Sequence, residues 1–182
     1  ARLGWRKIIS FQVSSVIHRP RQEFSLRAAK QIGANLMIHP IVGLDDPGDI
    51  DHYTRIRCYQ EALKFYPQPT VRLGLLPLMT RYAGTREAIW RGMIARNYGC
   101  THFFIDHDLE TENGDYLGAA FQGPKIDQSI MEPAEEEMGV SMVPHRSLVY
   151  VEDYDAYIPE EKVPQDVITP DLPMITRESE TV

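Results

Sequence analysis

The stretch FQVSSVIHRPRQEF occupies residues 11–24. A strand-like run over residues 7–13 leads into it, and a helical pattern beginning at Pro20 leads out. Between them lies a polar turn with Ser14, Ser15, His18 and Arg19, and Arg21 follows at once. A strand that turns through a polar segment into a helix is where α/β proteins seat phosphate groups. The first helical amides have no intrahelical partner, and the helix dipole is positive there. Pro20 suits a first helical turn, where its missing N–H removes no bond. Phe24, Ala28 and Ile32 then share one face, and Gly33 marks the stop.

Strand and helix signals keep alternating beyond this unit. Strands are expected at residues 34–38, 71–76, 101–105, 140–143 and 148–151. Helices are expected at residues 51–64, with Ile56, Tyr59 and Leu63 on one face, and at residues 85–97, with Thr85 as N-cap. A weaker helix at residues 126–138 is interrupted by Pro133. This order predicts a mostly parallel sheet with helices on both faces. Ligands of such sheets sit at the carboxyl ends of the strands. The turns at residues 12–19, 39–50, 77–84 and 106–118 then share one rim. From about Pro159 the chain becomes acidic, proline-rich and aperiodic. Residues 1–158 are expected to form the domain and residues 159–182 a tail or arm.

The bulk numbers agree with one soluble-type core. The chain has 182 residues, 43% hydrophobic and 25% charged. Its formal net charge is −7, which argues against general nucleic-acid or membrane-surface binding. Cys58 and Cys100 stand far apart without CxxC spacing, so neither a disulfide framework nor a zinc knuckle is expected, and a reducing, cytoplasmic setting is. No apolar run approaches the roughly 18–20 residues that span a bilayer, and no secretory signal is read at the start. Ala1 in place of Met leads us to expect a fragment or a processed product.

Each rim turn carries candidate residues. The first offers Gln12, Ser14, Ser15, His18, Arg19 and Arg21, a set able to donate to phosphate oxygens. The second, HPIVGLDDPGDIDHY, has Asp45, Asp46, Asp49 and Asp51, best read as a solvated loop with helix-capping aspartates. The third, LLPLMTRYAGTRE, places Arg81 and Arg86 around Gly84, where a backbone could approach a ligand. The fourth, THFFIDHDLETENGDY, has Asp106, His107, Asp108, Glu110 and Glu112. A divalent-metal reading of this last set is weaker than a charged-loop reading, because successive strand residues point to opposite faces.

Together these turns resemble the catalytic domain of ATP sulfurylase. The family shows Phe-Gln-Thr-Arg-Asn-Pro followed by His-Arg-Ala-His, and here Phe11-Gln12 and His18-Arg19 stand in those places. HPIVGLDDPGDI, LLPLMTRYAGTREAIW with RNYGCTHFFI, and VPHRSLVYVEDYDAY are also similar to family segments, in the same order, up to about Pro159. The resemblance implies a Rossmann-like nucleotidylyltransferase fold. It also implies a reaction of Mg-ATP with sulfate to give adenosine 5′-phosphosulfate and pyrophosphate. Mg-ATP is then a substrate, and no tightly bound cofactor or metal-ligating residue is implied. His18 and Arg21 are the implied catalytic residues. Gln12, Ser14, Ser15 and Arg81 are implied to bind substrate, and His18, Arg19, Asp106, His107 and Asp108 the nucleotide. Partners would be ATP and a small oxyanion or acid, with a homo-oligomer or a larger parent assembly.

The chain also departs from the family pattern. Ser14 stands where the family has an arginine, and Arg21 where it has a second histidine. A hydroxyl does not replace a guanidinium against a doubly charged anion. The family's Gly-Arg-Asp-His-Ala-Gly loop aligns without gaps to residues 106–111, or with a two-residue gap to Asp106-His107 as its Asp-His pair. The family's later Ile-Ser-Gly-Thr segment is not recognisable after Val163, and its N-terminal PUA-like domain is not expected within these residues. Three readings therefore stand open: an active sulfate adenylyltransferase, a nucleotidyltransferase with another acceptor, and a silent homologue serving as a structural or regulatory module.

Overall fold

A computed structural model describes residues 3–14, 16–43, 51–79, 83–104, 128–143, 148–151, 154, 156–159 and 162–163. The chain divides into two compact units, Ala1–His145 and Arg146–Val182.

The first unit is a parallel sheet of five strands. Strand β1 spans Ile8–Val13, β2 Asn35–Pro40, β3 Val71–Leu73, β4 His102–Phe104 and β5 Ser141–Val143, in spatial order β3-β2-β1-β4-β5. The chain thus builds outward from β1 to β3, then returns to the other side of β1 with β4 and continues to β5. β1 is central, pairing in parallel with β2 from Ile8↔Asn35 to Val13↔Pro40 and with β4 at Ile9↔His102 and Ser10↔Phe103. The order reverses between β1 and β4, the position at which open α/β sheets form their ligand crevice.

Among the described residues, four helices lie between the strands: α1 (Arg19–Ile32), α2 (His52–Ala62), α3 (Thr85–Asn97) and α4 (Gln128–Met138). The two-residue strand period sorts the core into two faces. Ile9, Phe11 and Val13 of β1 join Leu36, Ile38, Phe104 and Val143 in one cluster, with Ala28 and Ala29 of α1 and Tyr59 of α2. Phe11 and Phe24 both pack on the Phe104 ring, at centroid distances of 5.4 and 4.9 Å. The opposite cluster holds Phe103 with Ala88 and Ala95 of α3 and Met138 of α4, and Ile8, Met37 and Met142 pack against it. The expected mostly parallel α/β sheet, covered on both faces, is therefore what forms.

Local chemistry explains the helix ends. Gly33 closes α1 in the left-handed region at φ 68°, its N–H reaching the carbonyls of Ala29 and Lys30. Asp51 caps α2 by accepting from the amides of Tyr53 and Thr54, as the capping reading of these aspartates expected. The expected second helix instead tightens after Ala62 into a 3₁₀ turn, Leu63–Phe65. α3 begins one residue after the residue that caps it. The N-cap is Gly84, at φ 55° and ψ −131°, rather than Thr85. That conformation is closed to a residue with a Cβ, so the polar Thr85 moves to the first helical position. α4 runs on through Pro133, held by Met138 and Ala134 in the second cluster.

The second unit contains an antiparallel hairpin of β6 (Leu148–Val151) and β7 (Ala156–Pro159), with Tyr150 opposite Tyr157 and their rings 5.3 Å apart. β7 was not anticipated from the sequence. Of the expected arm, residues 160–161 and 164–182 lie outside the described residues.

Candidate functional site

β1 delivers its carboxyl end to the crevice through Val13 and Ser14, and α1 begins at Arg19. His18 is the N-cap of α1, with extended φ/ψ of −92° and 169°, but its side chain makes no capping hydrogen bond. Its carbonyl accepts from the amide of Gln22 at 3.1 Å. The first turn of α1 contains no acidic residue, while Arg19 and Arg21 both lie in it. The helix dipole and two guanidinium groups therefore add with the same sign at the switch point. Ile17 is held against the α1-side core, which fixes the turn from below. From α2, the Arg55 guanidinium donates to the Ser14 carbonyl at 2.7 Å and fixes it from the side.

The other face of β1 is polar and closed. Ser10, Gln12 and His39 are all buried on the α3 side of the sheet. Ser10 Oγ lies 2.7 Å from His39 Nδ1. The Gln12 amide nitrogen donates to the Arg91 carbonyl at 3.0 Å and to Ser10 Oγ at 3.5 Å. Gln12 Oε1 has no hydrogen-bond partner among the described residues. Burial pushes the His39 imidazole down to about 4, so it is neutral at physiological pH. Burial likewise pushes the Cys100 thiol up to about 11, against a hydrogen bond with Ser10. Cys100 is consequently an inert core residue.

The third turn is built on α3. Glu87 and Arg91 are buried in the helix wall, one turn apart. Glu87 Oε1 accepts from Arg91 Nη2 at 2.7 Å and from Nε at 3.0 Å. Glu87 Oε2 accepts from the Ala83 amide at 3.1 Å, just before Gly84.

His18, Arg19 and Arg21 thus stand in sequence at the start of α1, Ser14 follows the end of β1, and Gln12 is buried. Ser15, Arg81, Asp106, His107 and Asp108 lie outside the described residues. Among the described residues, no group of three or more His, Cys, Asp or Glu side chains is placed to hold a metal ion. No helix there is long and apolar enough to cross a membrane. Sequence reasoning did not single out Ser10, His39, Arg55 or Arg91. Their signals were slight: a histidine near the end of a buried strand, and Glu87 and Arg91 at i,i+4 spacing on a helix face that also carries Ala88, Gly92 and Ala95.

Sheet order, two-sided core and a basic helix start at the switch point define a doubly wound α/β protein. A family model described as ATP-sulfurylase matches residues 1–170. The chain belongs to the ATP-sulfurylase family. A sulfate adenylyltransferase of Yarrowia lipolytica is 43% identical over 171 residues, covering 94% of this chain and 30% of that protein. One from Schizosaccharomyces pombe is 43% identical over 162 residues, covering 89% of this chain and 33% of that protein. Among solved structures, a hexameric APS kinase from Thiobacillus denitrificans superposes with a TM-score of 0.74 at 31% identity, over 92% of this chain and 30% of that one. The chain spans about a third of the length of these relatives.

Proposed function

We propose that the chain handles the anions in adenylyl transfer from Mg-ATP to sulfate, giving adenosine 5′-phosphosulfate and pyrophosphate. A sulfate oxygen forms the new bond to the α-phosphorus. The bond from that phosphorus to the bridging oxygen breaks, and its electron pair leaves with pyrophosphate. Sulfate is already ionised, so no strong base is required. The work is to hold two anions together and stabilise the charge that moves onto the leaving group. The observation that carries this reading is the acid-free first turn of α1 with His18, Arg19 and Arg21 at the switch point. The names of relatives 43% identical to this chain support it.

In this reading His18 and Arg21 stabilise the reacting phosphates. His18 and Arg19 bind the nucleotide with Asp106, His107 and Asp108, and Ser14, Ser15, Arg81 and Gln12 face the acceptor. To donate to an oxyanion, Gln12 has to release the Arg91 carbonyl or Ser10 Oγ. Residues 1–158 act as the domain and residues 159–182 as an acidic arm, in a cytoplasmic protein that assembles as an oligomer. The hexameric neighbour supports the last point.

One observation favours a second reading. Gln12 commits its amide nitrogen to protein atoms, and on the family pattern quoted above Ser14 would offer a hydroxyl at an arginine position. That pairing suits a less charged acceptor, or a silent module. The test is pyrophosphate release from Mg-ATP with sulfate, molybdate and a panel of organic acids. Sulfate-dependent release lost in His18→Ala supports the first reading. Release with another acceptor only, or no binding of ATP by calorimetry, overturns it.

A further inference from the structure

We propose that Glu87 and Arg91 are positioning residues: a buried ion pair that locks the turn before α3 and ties it to β1. The pair is nearly sealed from water, with side-chain exposures of 1% for Glu87 and 7% for Arg91. One carboxylate oxygen takes both guanidinium contacts, at 2.7 and 3.0 Å, which leaves the other oxygen for the Ala83 amide at 3.1 Å. Ala83 is followed by Gly84 at φ 55° and ψ −131°, a sharp backbone reversal that makes the carboxylate's hold on the preceding amide geometrically specific. On the other side, the main-chain carbonyl of Arg91 accepts from the Gln12 side chain at 3.0 Å. An unbroken path thus runs from β1, next to the switch-point turn, through α3 to the end of the third turn.

A buried pair of this kind is a poor source of net stability, because desolvation offsets much of the attraction. Its strength is directional. In a low-dielectric wall each partner is costly to leave unpaired, so the geometry is held tightly. Hydrophobic residues of similar volume would keep α3 packed, but they would not hold the Ala83 amide. The consequence for anion binding rests on the function proposed above; the lock itself does not.

The test is residue-resolved amide exchange on the intact chain, with pyrophosphate affinity by calorimetry. In Glu87→Gln, exchange at Ala83 should rise at least about tenfold while Ile9 and Phe103 in the central strands keep their protection. Should that variant fail to fold, the apolar pair Glu87→Leu with Arg91→Met removes both charges and the acceptor for the Ala83 amide. It should restore cooperative melting but not protection at Ala83, and pyrophosphate binding should weaken severalfold. Unchanged exchange at Ala83 in a folded variant overturns the lock, as does exchange raised equally throughout the chain. If the unaltered chain binds no pyrophosphate, the functional reading fails while exchange at Ala83 still decides the lock.

Discussion

The Arg55 guanidinium of α2 donates to the Ser14 carbonyl across 2.7 Å, so a helix two elements away fixes the turn that follows β1. The contact also sets a permanent positive charge beside Ser14. Arg55→Ala should cost about 1.5–3 kcal/mol of stability, the usual scale for a hydrogen bond to a charged group. It should also weaken pyrophosphate binding. Arg55→Lys, which keeps the charge but not the planar fork, should recover part of both. Urea denaturation and calorimetry on the three proteins check this. Equal values for all three would show that the contact contributes nothing.

Acid should weaken the fold through His39. The imidazole accepts a proton near pH 6.5 in the unfolded chain but only at about 4 in the fold, because burial disfavours the cation. Between those values the unfolded state binds more protons, so stability falls as the pH drops from 6.5 toward 4. The loss should approach about 3 kcal/mol. Burial lowers His102 as well, with the same sign. His39→Asn keeps a polar group beside Ser10 without the proton. Its denaturation midpoint should fall less over this range, and parallel pH profiles for the two proteins would count against the assignment.

Gly92 on α3 tests the packing between the helices and the sheet. A Cβ built there would lie 2.6 Å from Met138 Sδ and 3.1 Å from the tip of the Phe103 ring. Gly92→Ala should therefore destabilise by about 1–3 kcal/mol, against the helix propensity that favours alanine. A gain in melting temperature would show that Met138 moves aside without cost.

Much of this fold was legible because its signals are local. Ile9, Phe11 and Val13 alternate with Ser10 and Gln12, Pro20 opens a helix, and Gly33 closes it. β7 was missed because Ala156–Pro159 ends in proline and is specified by its partner across the hairpin, not by its own period. Thr85 was expected as the cap because propensity favours threonine. The backbone conformation at Gly84, set by tertiary closure of the turn, decided otherwise. Of the candidate site, only the placement of the helix start was legible. His18, Arg19 and Arg21 could be read from the helix start, whereas the Gln12–Arg91–Glu87 path joins residues 79 positions apart at its first step and follows from the strand order.

The proposal above gives the basic start of α1 at the switch point a role in adenylyl transfer to sulfate. Its most direct test is the rate of pyrophosphate release from Mg-ATP by the intact protein, with and without sulfate, for the natural sequence and for His18→Ala. Sulfate-dependent release should fall at least a hundredfold in His18→Ala, the usual scale for removing one transition-state donor, about 10²–10³. Release that is absent with sulfate, or indifferent to His18, would contradict it.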